Sequence, residues 1–531
     1  MPKPDETTPS NREVEIVDVH PARLLLGLIV AGVLGFASLY LPFPSDVNVT
    51  VGGLAVGVTV LTAWCWLTRC LPMAPSSLIP LAAFPLLGVS NTKSVATSYA
   101  HPILWLFFGG FILAMAIERW GLHRRLALHI ISRIGLRPRR LVLGFIASGL
   151  FLSMWISNTA TSLMLLPIGV ALIDRIRRLG VLGEAACKRL STALLLGLAY
   201  GCSIGGMATP IGTAPNLLFL ANYQEAVSPT APDFSFPQWI MLMLPIALLF
   251  GVVIWISLVF FTFKLPKGDN KSGQLIKEEL QALPRLTVAE KRLMLVFGVT
   301  VILWVTRKDV PLSAGNVIPG WATLLGFTGE SKNFVQDGSI AVLMAILTFF
   351  IPSAGRGSPP LMDWKTARGL PFDILFLLGG GIAIAAVLQQ SGVSAAMANV
   401  LKPIVENVHP FVAVVLTITM MTFLTEVTSN TATTALMLPI LSVTSVAAGL
   451  DPRLLMLPAT LAASCAFMLP IATPPNAVVF ASGRLKMGEM ARAGFLLNLI
   501  SITLLSLATW WILVPALGIE PKVVPEWWLR R

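Results

Sequence analysis

Between residues 22 and 516 the chain is a succession of apolar runs separated by short polar breaks. They fall at about 22–42, 51–69, 76–90, 101–118, 141–173, 190–221, 238–263, 292–306, 338–352, 372–390, 410–449, 454–483 and 494–516. Roughly 20 apolar residues cross a bilayer as a helix, so this chain has lipid as its solvent. Only 12% of its 531 residues are charged and 55% are hydrophobic, against about a quarter charged in soluble domains. In lipid every backbone polar group must be satisfied within the protein, and runs of this length do so as helices. The expected fold is an all-α polytopic membrane protein. The first 21 residues are polar and mixed in charge, so no cleavable signal is expected. Cysteines 65, 70, 187, 202 and 465 lack metal-type spacing and read as reduced packing residues.

Basic residues orient the spans. Segment 119–140 carries seven arginines and segment 174–189 carries Arg175, Arg177, Arg178, Lys188 and Arg189. Both read as cytoplasmic, yet only 141–173 lies between them. That stretch is too long for one ordinary crossing and too short for two with a loop, so it reads as a hairpin entering and leaving on the cytoplasmic side. The run 410–449 has the same length problem and few basic flanks, and reads as a hairpin entering from outside. Eleven spans remain, with a cytoplasmic N-terminus and an outer C-terminus. This topology puts 29 of the 38 Lys and Arg inside and 9 outside. The net charge of +12 is therefore a topology signal, and no nucleic-acid partner is expected. The divisions are a cytoplasmic tail (1–21), a first half (22–263), a cytoplasmic linker (264–291), a second half (292–517) and an outer tail (518–531). A short surface helix is expected at 277–280. Trp510, Trp511, Trp527 and Trp528 read as interfacial anchors.

The two halves repeat. Ser157-Asn-Thr-Ala-Thr-Ser-Leu-Met-Leu-Leu-Pro-Ile168 and Ser429-Asn-Thr-Ala-Thr-Thr-Ala-Leu-Met-Leu-Pro-Ile440 agree at eight of twelve positions, each at the middle of a hairpin. Pro210-Ile-Gly-Thr-Ala-Pro-Asn216 matches Pro470-Ile-Ala-Thr-Pro-Pro-Asn476 at five of seven. Gly109, Gly110 and Gly121 align with Gly380, Gly381 and Gly392. The topology makes this repeat inverted, and inverted repeats with interrupted helices are the plan of secondary transporters.

Ser, Asn and Thr are N-cap residues, so the second helix of each hairpin should begin at its Ser-Asn-Thr. Two helix N-termini would then meet near mid-membrane and could each hold one anionic group. The topology places no Lys or Arg deep in a span, leaving helix ends, amides and hydroxyls as anion ligands. The proline pairs Pro210/Pro215 and Pro470/Pro475 imply unwound backbone whose carbonyls suit a hard cation such as sodium. Proton coupling normally needs an intramembrane carboxylate or histidine, and only Glu426 qualifies; Glu118, His101 and His409 lie at helix ends or interfaces.

The paired Ser-Asn-Thr blocks, each followed by Ala-Thr, resemble those of the divalent anion–sodium symporter family. Phe108-Gly-Gly-Phe through Gly121-Leu-His-Arg-Arg125 and the Thr-x-Pro-Asn segments 213–216 and 473–476 strengthen the likeness, which spans about residues 20–517. The resemblance implies a homodimeric plasma-membrane symporter whose transport domain moves like an elevator against a scaffold domain. It implies dicarboxylates such as succinate, malate or fumarate as cargo and Na+ as coupling ion at about two sites. It maps substrate ligands onto Asn158, Thr159, Asn430 and Thr431, with Thr213, Thr473 and Pro474 nearby. One sodium site maps onto Ser153, Ser157, Asn158 and the Gly212 backbone, the other onto Thr425, Thr428, Asn430 and the Ala472 backbone. Ala214 departs from the Thr-Pro-Pro-Asn pattern, and Thr428 stands where the family often has a small apolar residue. A sodium-independent exchanger and a sulfate or citrate carrier fit the same motifs.

Two other classes fit less well. Gly201-Cys-Ser-Ile-Gly205 matches a nucleophile elbow, but it lies in an apolar helix-length run rather than a strand-to-helix turn. No histidine lies deep in a span to serve it. An anion channel would use the same helix ends, and only transport data separate it from a carrier.

Overall fold

A computed structural model describes residues 21–529 except 46, 136, 179, 181, 227–233, 268–284, 312–316, 330, 332–333, 356 and 406. The N-terminal tail, most of the linker, its expected helix at 277–280 and the last two residues lie outside the described residues. Those described are helical apart from turns, loops and a two-residue antiparallel ribbon, Val310–Pro311 against Val317–Ile318.

Ten of the described helices are long and apolar enough to cross a bilayer. Three of the ten are hairpin legs, Asn158–Arg178, Pro410–Val427 and Asn430–Ala447. Some sequence-expected spans are shorter than a crossing. The run 76–90 breaks into Met73–Ser77 and Ile79–Leu86, with Pro80 in the first turn of the second piece, because proline removes a helix donor and clashes with the preceding turn. Asp337–Phe350 has only 14 residues.

Both expected hairpins are pairs of helices with a short break. The first is Pro138–Ser153 followed by Asn158–Arg178; the second is Pro410–Val427 followed by Asn430–Ala447. Both Pro-rich runs are broken helices: Glu184–Gly205 then Ala214–Ala226, and Arg453–Ala462 then Pro474–Ala481. In each half a glycine-containing helix (Pro102–Arg119, Phe372–Gln390) is followed by an amphipathic helix (Leu122–Ile134, Val393–Val405) that hydropathy alone passes over. The joints are Gly121 and Gly392, with φ of 69° and 71°, a left-handed backbone open to glycine at little cost.

The two halves interlock. Tyr200 Oη, in the first broken helix, donates to the Phe467 carbonyl at 2.9 Å. Arg484 donates two hydrogen bonds to Asp174, at 2.9 and 2.8 Å, joining the end of the first hairpin to the turn after Pro474–Ala481. Glu184–Gly205 packs against Pro138–Ser153 so closely that a Cβ at Gly201 or Gly205 would strike the Ile146 or Leu150 carbonyl. The G-x-S-x-G match is thus a helix-packing surface, and Ser203 Oγ bonds back to the Ala199 carbonyl at 3.2 Å.

All five cysteines are buried and unbridged. Trp527 and Trp528 depart from the anchor reading. Trp528 is buried, both rings pack on Tyr223, and the Arg453 guanidinium lies 5.0 Å from the Trp527 ring. The final turn after 518 folds back onto protein, so these rings find partners there. Trp511 is 73% exposed and keeps the pattern of an interfacial anchor.

Candidate functional site

The hairpin helices start where their cap residues dictate. Ser157 Oγ accepts from the Ala160 N–H at 3.2 Å, and Ser429 Oγ accepts from the Ala432 N–H at 3.5 Å. Each cap satisfies one of the first-turn N–H groups and leaves others open. The second pieces of the broken helices begin after Thr213 and Thr473: Thr473 Oγ1 accepts from the Asn476 N–H at 3.3 Å, whereas the Asn216 N–H donates to the Thr213 backbone carbonyl at 3.2 Å.

These four helix starts converge on one cavity of about 440 Å³. Its walls include Ser157, Asn158 and Thr159 from one hairpin, and Ser429, Asn430 and Thr431 from the other. The breaks contribute Ile211, Gly212, Thr213 and Ala214, and Ile471, Ala472, Thr473 and Pro474. Every residue assigned to substrate on the sequence therefore lies around a single space. Each helix N-terminus carries roughly half a positive charge, so four together approximate two charges without an ionised side chain.

Behind the tips lie oxygens without protein partners. Ser153 Oγ and Asn158 Oδ1 are buried and accept from no described group. A Cβ on Gly212 would come within 2.5 Å of the Gly206 carbonyl and 2.9 Å of the Ser153 carbonyl. One on Gly206 would come within 2.9 Å of Asn158 Oδ1 and 3.2 Å of the Gly212 carbonyl. The two glycines are what lets these oxygens crowd together, and such a cluster suits a small hard cation. In the second half Asn430 Oδ1 and Thr422 Oγ1 are likewise buried and unpartnered. Thr425 Oγ1 donates to the Met421 and Thr422 carbonyls at 2.9 and 3.1 Å, leaving its lone pairs open. Thr428 is more committed: it donates to the Leu424 carbonyl and lies 2.6 Å from Thr433 Oγ1.

The unwound segments are held by asparagines. Asn216 Nδ2 donates to the Gly206 and Thr209 carbonyls, and Asn476 Nδ2 to those of Ala466 and Leu469. The second break has an additional support. The buried Glu426 carboxylate accepts from the Phe467, Met468 and Leu469 N–H groups at 2.7, 2.9 and 3.0 Å and from Asn498 Nδ2 at 2.7 Å. Its place in the first half is taken by Met154, so this clamp has no counterpart there.

Several lining residues escaped the sequence reading. Phe107, Phe111 and Ile374 form an apolar part of the wall, and Ser203 and Ser464 add hydroxyls. Arg69 also lines the cavity, adding a basic side chain from a span end to the helix ends, amides and hydroxyls expected as anion ligands. It follows helix Val49–Thr68 in a left-handed turn, and hydropathy placed it only at the end of a span.

A helical membrane protein with a polar, Pro-broken cavity built by paired hairpins is a transporter of the secondary type. The sequence matches the sodium:sulfate symporter transmembrane region family over residues 22–517, and the chain belongs to that family: it is a multi-pass membrane transporter, not an enzyme. It is similar to SdcS, a sodium-dependent dicarboxylate transporter of Staphylococcus saprophyticus, with 37% identity over 500 residues that cover 93% of this chain and 92% of that protein. The SdcS of Staphylococcus aureus strain MRSA252 is 36% identical with the same coverage. Two solved structures share the fold. The YdaH transporter of Alcanivorax borkumensis has a TM-score of 0.55 at 14% identity, over 93% of this chain and 98% of that one. MtrF of Neisseria gonorrhoeae has a TM-score of 0.54 at 15% identity, over 95% and 97%.

Proposed function

We propose that this protein is a sodium-coupled symporter of small dianions, C4-dicarboxylates such as succinate, malate or fumarate. The observation that carries this reading is the convergence of four helix N-termini on one cavity. Asn158 and Thr159 hold one carboxylate, Asn430 and Thr431 the other, and Thr213, Thr473 and Pro474 close the sides. One sodium ion lies among Ser153, Ser157, Asn158 and the Gly212 backbone. A second lies among Thr425, Thr428, Asn430 and the Ala472 backbone, with Thr428 supplying its remaining lone pair. Two cations cancel a charge that would otherwise cost on the order of 3 kcal/mol per unit at mid-membrane. The names of the SdcS relatives agree with both cargo and coupling ion.

The same reading makes the two hairpins re-entrant and the repeat inverted, in a homodimer of the plasma membrane with N-terminus inside and C-terminus outside. The hairpins and breaks form the moving unit of an elevator. Purified protein in proteoliposomes, offered a panel of dicarboxylates, citrate and sulfate, should accumulate dicarboxylates only under an inward sodium gradient. Uptake driven solely by an opposing anion gradient would instead make the protein an exchanger.

A further inference from the structure

The positive potential of the cavity described above comes from backbone, with one exception. Arg69 is the sole Lys, Arg, Asp or Glu among the lining residues. It belongs to none of the repeated elements and follows helix Val49–Thr68 with φ 52° and ψ 33°, a left-handed conformation disfavoured for any residue with a Cβ. The side chain is exposed, and its guanidinium has no ion-pair or hydrogen-bond partner among the described residues. The Asn and Thr ligands of the tips, by contrast, are half-buried. An unpaired cation therefore stands at the mouth of a cavity that otherwise lacks ionised groups.

We propose that Arg69 is a specificity-determining residue that attracts anions to this mouth in proportion to their charge. The inference rests on the dianion reading of the cavity. An exposed cation near a low-dielectric cleft raises the local anion concentration. Its effect scales with ligand charge, so it favours dianions and trianions over monoanions, and added salt screens it within about 10 Å at 0.1 M. In the proposed topology this mouth faces the cytoplasm, and Arg69 acts on anions there. Its role is separate from that of the hairpin tips, which position the carboxylates whatever the salt concentration.

The test is calorimetric binding of succinate to the purified full chain at saturating sodium, at about 20 mM and about 500 mM ionic strength. Arg69→Gln should raise the Kd about 3- to 10-fold at low ionic strength and less than about 2-fold at high. Arg69→Lys should stay near wild type. Arg69→Cys gives a comparison within one folded protein, since the five native cysteines are buried. A cationic methanethiosulfonate reagent should restore tight binding at low salt and an anionic one should weaken it, with reagent-treated wild type unchanged. Equal Kd values after the two reagents, or a Gln variant matching wild type at low salt, would overturn the role of Arg69 while leaving the dianion reading intact. Absence of sodium-dependent succinate binding in wild type would instead remove the reading itself.

Discussion

Asn216 and Asn476 make the same pair of hydrogen bonds in the two halves of the chain. Each side-chain amide donates to the carbonyls ten and seven residues before it: at 2.9 and 2.7 Å for Asn216, at 3.1 Å for both bonds of Asn476. Each asparagine therefore staples a helix break to the helix that resumes after it. Without the amide, two buried carbonyls lose their donor, at a cost of about 1–3 kcal/mol each. Asn216→Ala and Asn476→Ala should both lower the thermal unfolding temperature and depress uptake. Unchanged melting in either variant would mean that water or a backbone shift replaces the staple.

The membrane topology makes a separate prediction. Positions 140 and 175 lie on the two helices of the first hairpin. Single cysteines there, in a background lacking the five native ones, should both react with an impermeant maleimide from the cytoplasmic face. Labelling from opposite faces would turn the hairpin into a crossing and remove the inversion of the repeat.

Glu426 has a role that the sequence did not disclose. Its carboxylate fixes three consecutive N–H groups and Asn498 at the second break. Glu426→Gln keeps one acceptor oxygen but turns the other site into a donor facing the Leu469 N–H. The maximal rate should fall and the protein should melt earlier, while uptake continues to follow the sodium gradient. Uptake that ignored sodium and followed pH in wild type, or uncoupling by this substitution alone, would make Glu426 a proton carrier.

The Arg125–Glu290 pair lies outside the spans and carries a pH signature. Burial opposes ionisation of Glu290, but the Arg125 guanidinium at 2.8 Å and the Thr287 N–H and hydroxyl outweigh it, so its pKa is held below the ordinary glutamate value. A depressed folded-state pKa gives stability that is fully present above the unfolded value of about 4.3 and is lost as pH falls through the folded value. At pH 7 Glu290→Gln should melt below wild type by the equivalent of about 1–3 kcal/mol. The two melting curves should converge below about pH 4. A constant gap across that range would show that the pair contributes no pH-dependent stability.

Much of this architecture was legible in the chain because its two strongest signals are local. Ser-Asn-Thr and Thr-x-Pro-Asn combine cap and breaker residues whose backbone consequences are nearly independent of context, and both helix starts fall where those residues predict. The long-range partners were not legible. Met468 and Leu469 gave no sign that their N–H groups would be held by Glu426, 42 and 43 residues earlier. Arg69 reaches the cavity through a left-handed turn that a hydropathy profile does not encode. Trp528 looked like an anchor because aromatic rings suit both an interface and a protein contact, and only the fold brings Tyr223 beside it.

In the proposed mechanism the paired tips join one dianion to sodium. Linkage requires that sodium raise succinate affinity and that succinate raise sodium affinity by the same factor. The direct measurement is the succinate Kd of the purified protein across a sodium titration at constant ionic strength. The Kd should fall steeply with sodium in wild type, and Asn158→Ala and Asn430→Ala should each weaken binding by at least about 10-fold, the lower end for one lost hydrogen bond to a charged group. A succinate Kd that is independent of sodium, or that survives both substitutions, would contradict the account.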